Sequence, residues 1–119
     1  MIEKILKYVL EKYGTKPEYL WKKFPDTFAL RNNDTKKWYG VSMKVKRSVL
    51  SDGAEGDVMI LDLKCEPAFK DLLILSRKGF YPAYHMNKEH WVTVILDGTV
   101  EENGIYPIID EAYALVSKK

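Results

Sequence analysis

Between Thr27 and Val45 the chain alternates apolar and polar residues twice around a single polar turn, and this pattern most narrows what it can fold into. Thr27–Arg31 places Phe28 and Leu30 on one face, and Asn32-Asn33-Asp34-Thr35 is a cluster of turn formers. Lys37–Val45 alternates again, with Tyr39, Val41, Met43 and Val45 on one side and Trp38, Gly40, Ser42 and Lys44 on the other. Two period-two runs around a polar turn make an antiparallel hairpin. Val58–Lys64, apolar on both faces, reads as a central strand. Trp91–Leu96 is a further strand, closed by the turn Asp97-Gly98.

Helical spacing brackets and interrupts these strands. Ile2, Ile5, Leu6, Val9, Leu10 and Tyr13 form one stripe, and Gly14 stands where a left-handed stop is wanted. Thr15–Pro25 reads as a loop passing into a short edge segment, anchored by Trp21 and Phe24. Pro67 opens a second helix, since its missing N–H costs nothing in the first turn. Phe69, Leu72, Leu73 and Ser76 form that helix's inward face, and Gly79 ends it. The last helix carries Ile105, Ile108, Ile109, Ala112 and Val116 on one stripe, with Pro107 expected in its first turn. Ser51–Gly56 and Phe80–Asn87 read as loops. The order is one helix, several antiparallel strands, a helix, a strand and a final helix: a single α+β domain over residues 1–119.

Length and composition agree with this reading. A chain of 119 residues with 46% hydrophobic and 30% charged residues can bury a core without staples. Its single cysteine, Cys65, excludes an internal disulfide framework and fits a reducing compartment, so the expected location is the cytoplasm. No apolar run approaches the ~18 residues of a membrane span. Met1-Ile2-Glu3-Lys4 opens a helix rather than a signal peptide.

Catalytic and metal-binding patterns are weak. Cys65, His85 and His90 are zinc-type ligands, but the two histidines are five residues apart, so one regular element would not aim both at one ion. Cys65 closes a buried strand with no histidine placed beside it, and Gly53 and Gly56 lack the lysine of a phosphate loop. The expectation is no catalytic residue, no metal and no cofactor.

Charge is more informative. The net charge of +2 divides into +7 over residues 1–50 and −5 over residues 51–119. The basic half is concentrated at Arg31, Lys36, Lys37, Lys44, Lys46 and Arg47, interleaved with Trp38 and Tyr39 and opposed only by Asp34. Such a hairpin can neutralise phosphates, while Asn32 and Asn33 can hydrogen-bond sugar or phosphate oxygens. The same lysines can instead solvate an edge hairpin and discourage edge-to-edge pairing. In the Tyr84–Trp91 segment, His85, Asn87, Lys88 and His90 can either line a ligand pocket or satisfy loop backbone groups.

Four blocks carry a family resemblance: Lys36-Lys37-Trp38-Tyr39-Gly40, Leu63-Lys64-Cys65-Glu66-Pro67, Tyr84-His85-Met86-Asn87-Lys88-Glu89-His90-Trp91 and Ala112-Tyr113-Ala114-Leu115-Val116. In this order they resemble the MmcQ/YjbR family across nearly the whole chain, with Ala112 where the family often has serine. The resemblance implies a CyaY-like α/β sandwich, an antiparallel sheet with helices packed on one face. It also implies DNA binding through two β-hairpin wings, here Arg31–Trp38 and Lys46–Asp57, the second diluted by Asp52, Glu55 and Asp57. A frataxin-like shape raises iron binding too, but Glu3 and Glu11 stand against Lys4, Lys7 and Lys12 on the first helix, so no acidic ridge forms.

The leading expectation is a monomer that binds double-stranded DNA weakly and largely through phosphates, using Arg31, Asn32, Lys36, Lys37, Lys44, Lys46 and Arg47. The alternative is a protein- or small-ligand-binding module using the sheet face or the Tyr84–Trp91 loop.

Overall fold

A computed structural model of the chain describes residues 1–50 and 53–118. The elements run α1 (Ile2–Tyr13), β1 (Phe28–Arg31), β2 (Trp38–Lys46), a 3-10 turn (Arg47–Leu50), β3 (Asp57–Lys64), α2 (Pro67–Leu75), β4 (Phe80–Pro82), β5 (Trp91–Ile95) and α3 (Glu102–Leu115). The strands form one antiparallel sheet in the order β1-β2-β3-β5-β4. Ser51 and Asp52 of the expected Ser51–Gly56 turn lie outside the described residues.

The helices cover one face of the sheet. Ile5 and Val9 of α1 and Ile105, Ile109 and Ala112 of α3 are fully buried against Leu30, Leu61, Leu63 and Val92. Leu10, counted in the same α1 stripe, is instead 48% exposed. α1 stops where expected: Gly14 adopts φ 67°, and its N–H donates to the Leu10 carbonyl at 3.0 Å. α1 and α3 are also clasped through Asp110, whose carboxylate accepts hydrogen bonds from Tyr8 (2.8 Å), Tyr13 (2.6 Å) and Lys12 (2.9 Å). Burial pushes the Asp110 carboxyl up, but these three donors outweigh it and hold it below its ordinary value.

Six further sequence expectations need correction. Tyr39 does not share a face with Val41, Met43 and Val45. Leu30 pairs with Gly40 while Arg31 pairs with Trp38, so Tyr39 is the extra residue of a β-bulge. The bulge turns its ring to the helices, 6.3 Å from Tyr13 and 5.1 Å from Tyr113, with its hydroxyl donating to Thr15 at 2.7 Å. Pro107 is the sixth residue of α3, not part of its first turn. Its missing N–H leaves the Asn103 carbonyl without a helical partner, and both residues are exposed, so water can serve that oxygen.

α2 starts at Pro67 as expected but ends at Leu75, before Gly79. None of its nine residues is buried, and Leu72 and Leu75 are 67% and 73% exposed. Gly79 belongs to the following turn at φ 95°, where a Cβ would lie 2.7 Å from Val100 Cγ2. Phe80–Pro82, expected as loop, pairs with β5 as an edge strand, a place that tolerates Pro82 because its outward side needs no N–H. Phe24 is 62% exposed and anchors nothing, although Trp21 is half-buried edge-on to Trp38.

Candidate functional site

Antiparallel topology decides which cations meet. The turn joining β1 to β2 sits at one end of the sheet, and the connection from β2 to β3 sits at the other. The nine residues of β2 separate them by roughly 27 Å. The two expected wings therefore flank opposite ends of one strand.

At the first end, Asn32 organises the turn. It is buried, and its Oδ1 accepts the backbone N–H groups of Asp34 (2.8 Å) and Thr35 (3.0 Å) while Nδ2 donates to Ser117 (3.2 Å). Thr35 donates to the Val116 carbonyl at 2.7 Å and Lys37 to the Lys118 carbonyl at 2.9 Å, so the end of α3 braces the turn. Arg31 is held by Glu18 at 2.9 Å, donates to the Lys36 carbonyl at 2.8 Å and stacks 5.7 Å over Trp38. Register then adds two residues that sequence reasoning missed. β2 pairs with β3 and β3 with β5, so the start of β2 lies beside the end of β3 and the start of β5. Lys64 and Trp91 arrive there, with Lys64 5.3 Å over the Trp91 ring. Arg31, Lys36, Lys37 and Lys64 line a groove of about 520 Å³ backed by Trp38 and Trp91. Among the described residues no carboxylate lines it. The signal was available: a lysine ending an otherwise apolar central strand must emerge beside the start of its antiparallel neighbour.

At the other end stand Lys44, Lys46 and Arg47. Arg47 is paired with Asp97 at 3.1 Å. Burial raises the Asp97 carboxyl, but hydrogen bonds from Thr99 and Arg47 bring it below its ordinary value. Lys44 and Lys46 are exposed and border a different cavity.

That cavity occupies the sheet face without helices. Val41, Met43 and Val45 form its floor, Trp21 and Phe24 stand on one side, and Tyr84, His85 and Met86 on the other; its volume is about 550 Å³. Of the four residues singled out in the Tyr84–Trp91 segment, only His85 reaches it. His85 adopts φ 63° and packs 4.0 Å from the Tyr84 ring. Asn87 caps its own loop, accepting the N–H groups of Glu89 (2.8 Å) and His90 (3.3 Å). Lys88 donates to the Ala83 carbonyl at 2.9 Å, and the His90 ring is exposed beside Glu89.

Beneath this loop lies a group the sequence did not mark. Asp62 is fully buried, and its Oδ1 accepts a hydrogen bond from Thr93, which in turn accepts the Tyr84 N–H at 3.1 Å. Its Oδ2 has no partner among the described residues. Burial pushes the Asp62 carboxyl up to about 7, against the Thr93 hydrogen bond and the charge of Lys88. Cys65 is also buried, and burial raises its thiol to about 11, away from the nucleophilic thiolate.

The sequence model of the YjbR family matches residues 10–115. The chain belongs to the YjbR family. It is 42% identical over 113 residues to YyaQ of Bacillus subtilis, itself described as uncharacterized, covering 95% of each chain. A crystal structure of a Pseudomonas syringae protein superposes with a TM-score of 0.88 at 38% identity, covering 96% of this chain and 97% of that one. A Deinococcus radiodurans protein with a DUF419 domain shares the fold at a TM-score of 0.75 and 23% identity, over all of this chain and 80% of that one. Among the described residues, this YjbR domain is an α+β fold with a five-stranded antiparallel sheet and three α-helices.

Proposed function

We propose that this YjbR domain is a non-catalytic, monomeric cytoplasmic protein that binds nucleic acid weakly through phosphates, at the groove beside the β1–β2 turn. The observation that carries this reading is the convergence of Arg31, Lys36, Lys37 and Lys64 in one groove, where among the described residues no carboxylate forms the lining and only Arg31 is ion-paired, to Glu18. Trp38 and Trp91 brace two of these cations from below, so they stand preorganised rather than splayed in solvent. Asn32 supports the turn from inside. Lys44, Lys46 and Arg47 lie at the far end of β2, a strand length away, so these three stand outside the proposed footprint. Nothing in the groove enters as a recognition helix, and the expected affinity is independent of sequence.

The test is fluorescence anisotropy of a labelled duplex at about 50 and 200 mM salt. Contact with about four phosphates weakens binding on the order of 150-fold across that fourfold change. Lys36→Glu with Lys64→Glu should abolish the low-salt signal, while Lys44→Glu with Lys46→Glu should leave most of it. Flat anisotropy with micromolar protein at low salt would overturn the reading.

A further inference from the structure

Strand parity puts the cations of the groove on the same side of the sheet as the 550 Å³ cavity. Along β1, Arg31 alternates with Leu30, and along β3, Lys64 alternates with Leu63; both leucines pack under the helices. Arg31 and Lys64 therefore face the loop side. Trp38, the register partner of Arg31, stands on β2 between them and lines both the groove and the cavity. Met43, in the cavity floor, follows on the same strand roughly 15 Å beyond Trp38. Groove and cavity thus form one continuous surface through the Trp38 ring.

The two parts of that surface differ in chemistry. Lys44 and Lys46 alternate with Met43 and Val45 and project from the opposite face, and Val41 and Val45 are buried. What a ligand meets in the cavity is Met43 and aromatic rings: Trp21 and Phe24 on one side, Tyr84 and His85 on the other. Phe24 is 62% exposed, and His85 is exposed with its ring 4.0 Å from that of Tyr84. Cations beside accessible rings are the two parts of a single-strand site, since cations track the phosphates and rings stack the unpaired bases. A duplex can use only the cations, because its bases are stacked inside the helix. We propose that the nucleic acid bound here is single-stranded, with phosphates along Arg31, Lys36, Lys37 and Lys64 and at least one base turned into the cavity against Trp21, Phe24 or Tyr84. This assignment rests on the phosphate groove proposed above; the cavity adds the preference for an unpaired strand. Every base has a face to stack, so the preference is for strandedness and not for sequence.

The test is fluorescence anisotropy of the whole chain at about 50 mM salt with a labelled, non-self-complementary DNA strand of about 15 nucleotides, alone and annealed to its complement. The single strand should bind about tenfold more tightly than the duplex, the scale of one stacked base. Phe24→Ala, at an exposed ring, should remove most of that advantage and leave duplex affinity unchanged. An abasic strand of the same length needs no variant and should bind the unmodified protein no better than the duplex does. The RNA strand of the same sequence separates the two sources of unpaired bases, and a tenfold advantage over the duplex for either strand supports the proposal. Equal affinity for single strand and duplex, or for abasic and base-bearing strands, overturns it and leaves the phosphate groove standing. Failure of every strand to bind overturns both.

Discussion

The two faces of the sheet are built from the same strands but finished differently. On the helix face, Leu61, Leu63, Val92 and Val94 meet Ile105 and Ile109 in a close-packed layer, and the polar hub there, Asp110, accepts from three donors. On the loop face, Val41, Met43 and Val45 border a cavity, and both Asp62 Oδ2 and Trp38 Nε1 are buried without a hydrogen-bond partner among the described residues. A helix presents a continuous apolar stripe and satisfies its own backbone, so it can seal a sheet. A loop must direct its polar groups inward to its own turns, as Asn87 does, and it covers only in places. Stability is concentrated on the first face, and room for a ligand on the second.

The widest separation between the faces is expected from truncation. Ile109→Ala should cost about 4 kcal/mol in urea denaturation, since the close-packed helix layer cannot collapse into the gap. Val41→Ala should cost only about 1.5 kcal/mol: Val41 is buried, at 3% exposure, but it loses fewer carbons and lies beside a cavity rather than in a close-packed layer. Equal losses would show that the loop face is sealed.

Asp62 sharpens the contrast through pH. Its folded pKa of about 7 lies above the ordinary 3.8, so between these values the folded state holds a proton that the unfolded chain has released. That contribution to stability is greatest at low pH and is lost as pH rises towards 7. Relative to wild type, Asp62→Asn should therefore gain roughly 3 kcal/mol between about pH 4 and pH 8, read from paired denaturation curves. A pH-independent difference would mean that Asp62 is already satisfied.

Asp110 on the other face should behave with opposite sign. Its folded pKa is held below 3.8, so its stabilisation is present above that value and is lost as pH falls through the lower folded value. Asp110→Ala should cost about 2 kcal/mol at pH 7, the scale of a hydrogen-bonded carboxylate removed, and much less near pH 2. The smallest effect is expected at Gly40. A Cβ there would lie 3.1 Å from Leu30 Cδ1 and 3.4 Å from Leu63 Cδ2, so Gly40→Ala should cost about 1 kcal/mol through crowding of the helix layer.

Much of the fold was legible because it rests on local periodicity. The α1 stop at Gly14, the α2 start at Pro67 and four of the five strands follow from residue spacing and backbone preference. The misreadings share a physical origin. β4 is three residues long and exists only because β5 is there to pair with it. α2 carries helical apolar spacing at Phe69, Leu72 and Leu73, yet no partner buries Leu72. The Tyr39 bulge reverses a face through a change of register that alternation cannot reveal.

For the sites the division is sharper. Sequence by itself determined that residues 31–47 are basic, that the strands around them are antiparallel, and that His85 lies in a polar loop. Only tertiary structure decided that Lys64 and Trp91 join Arg31, Lys36 and Lys37, that Arg47 pairs with Asp97, and that Asp62 is sealed with one oxygen unpaired. Charge and periodicity are properties of neighbours along the chain, whereas convergence and burial depend on which strand lies beside which, and that is settled only when the sheet closes its register.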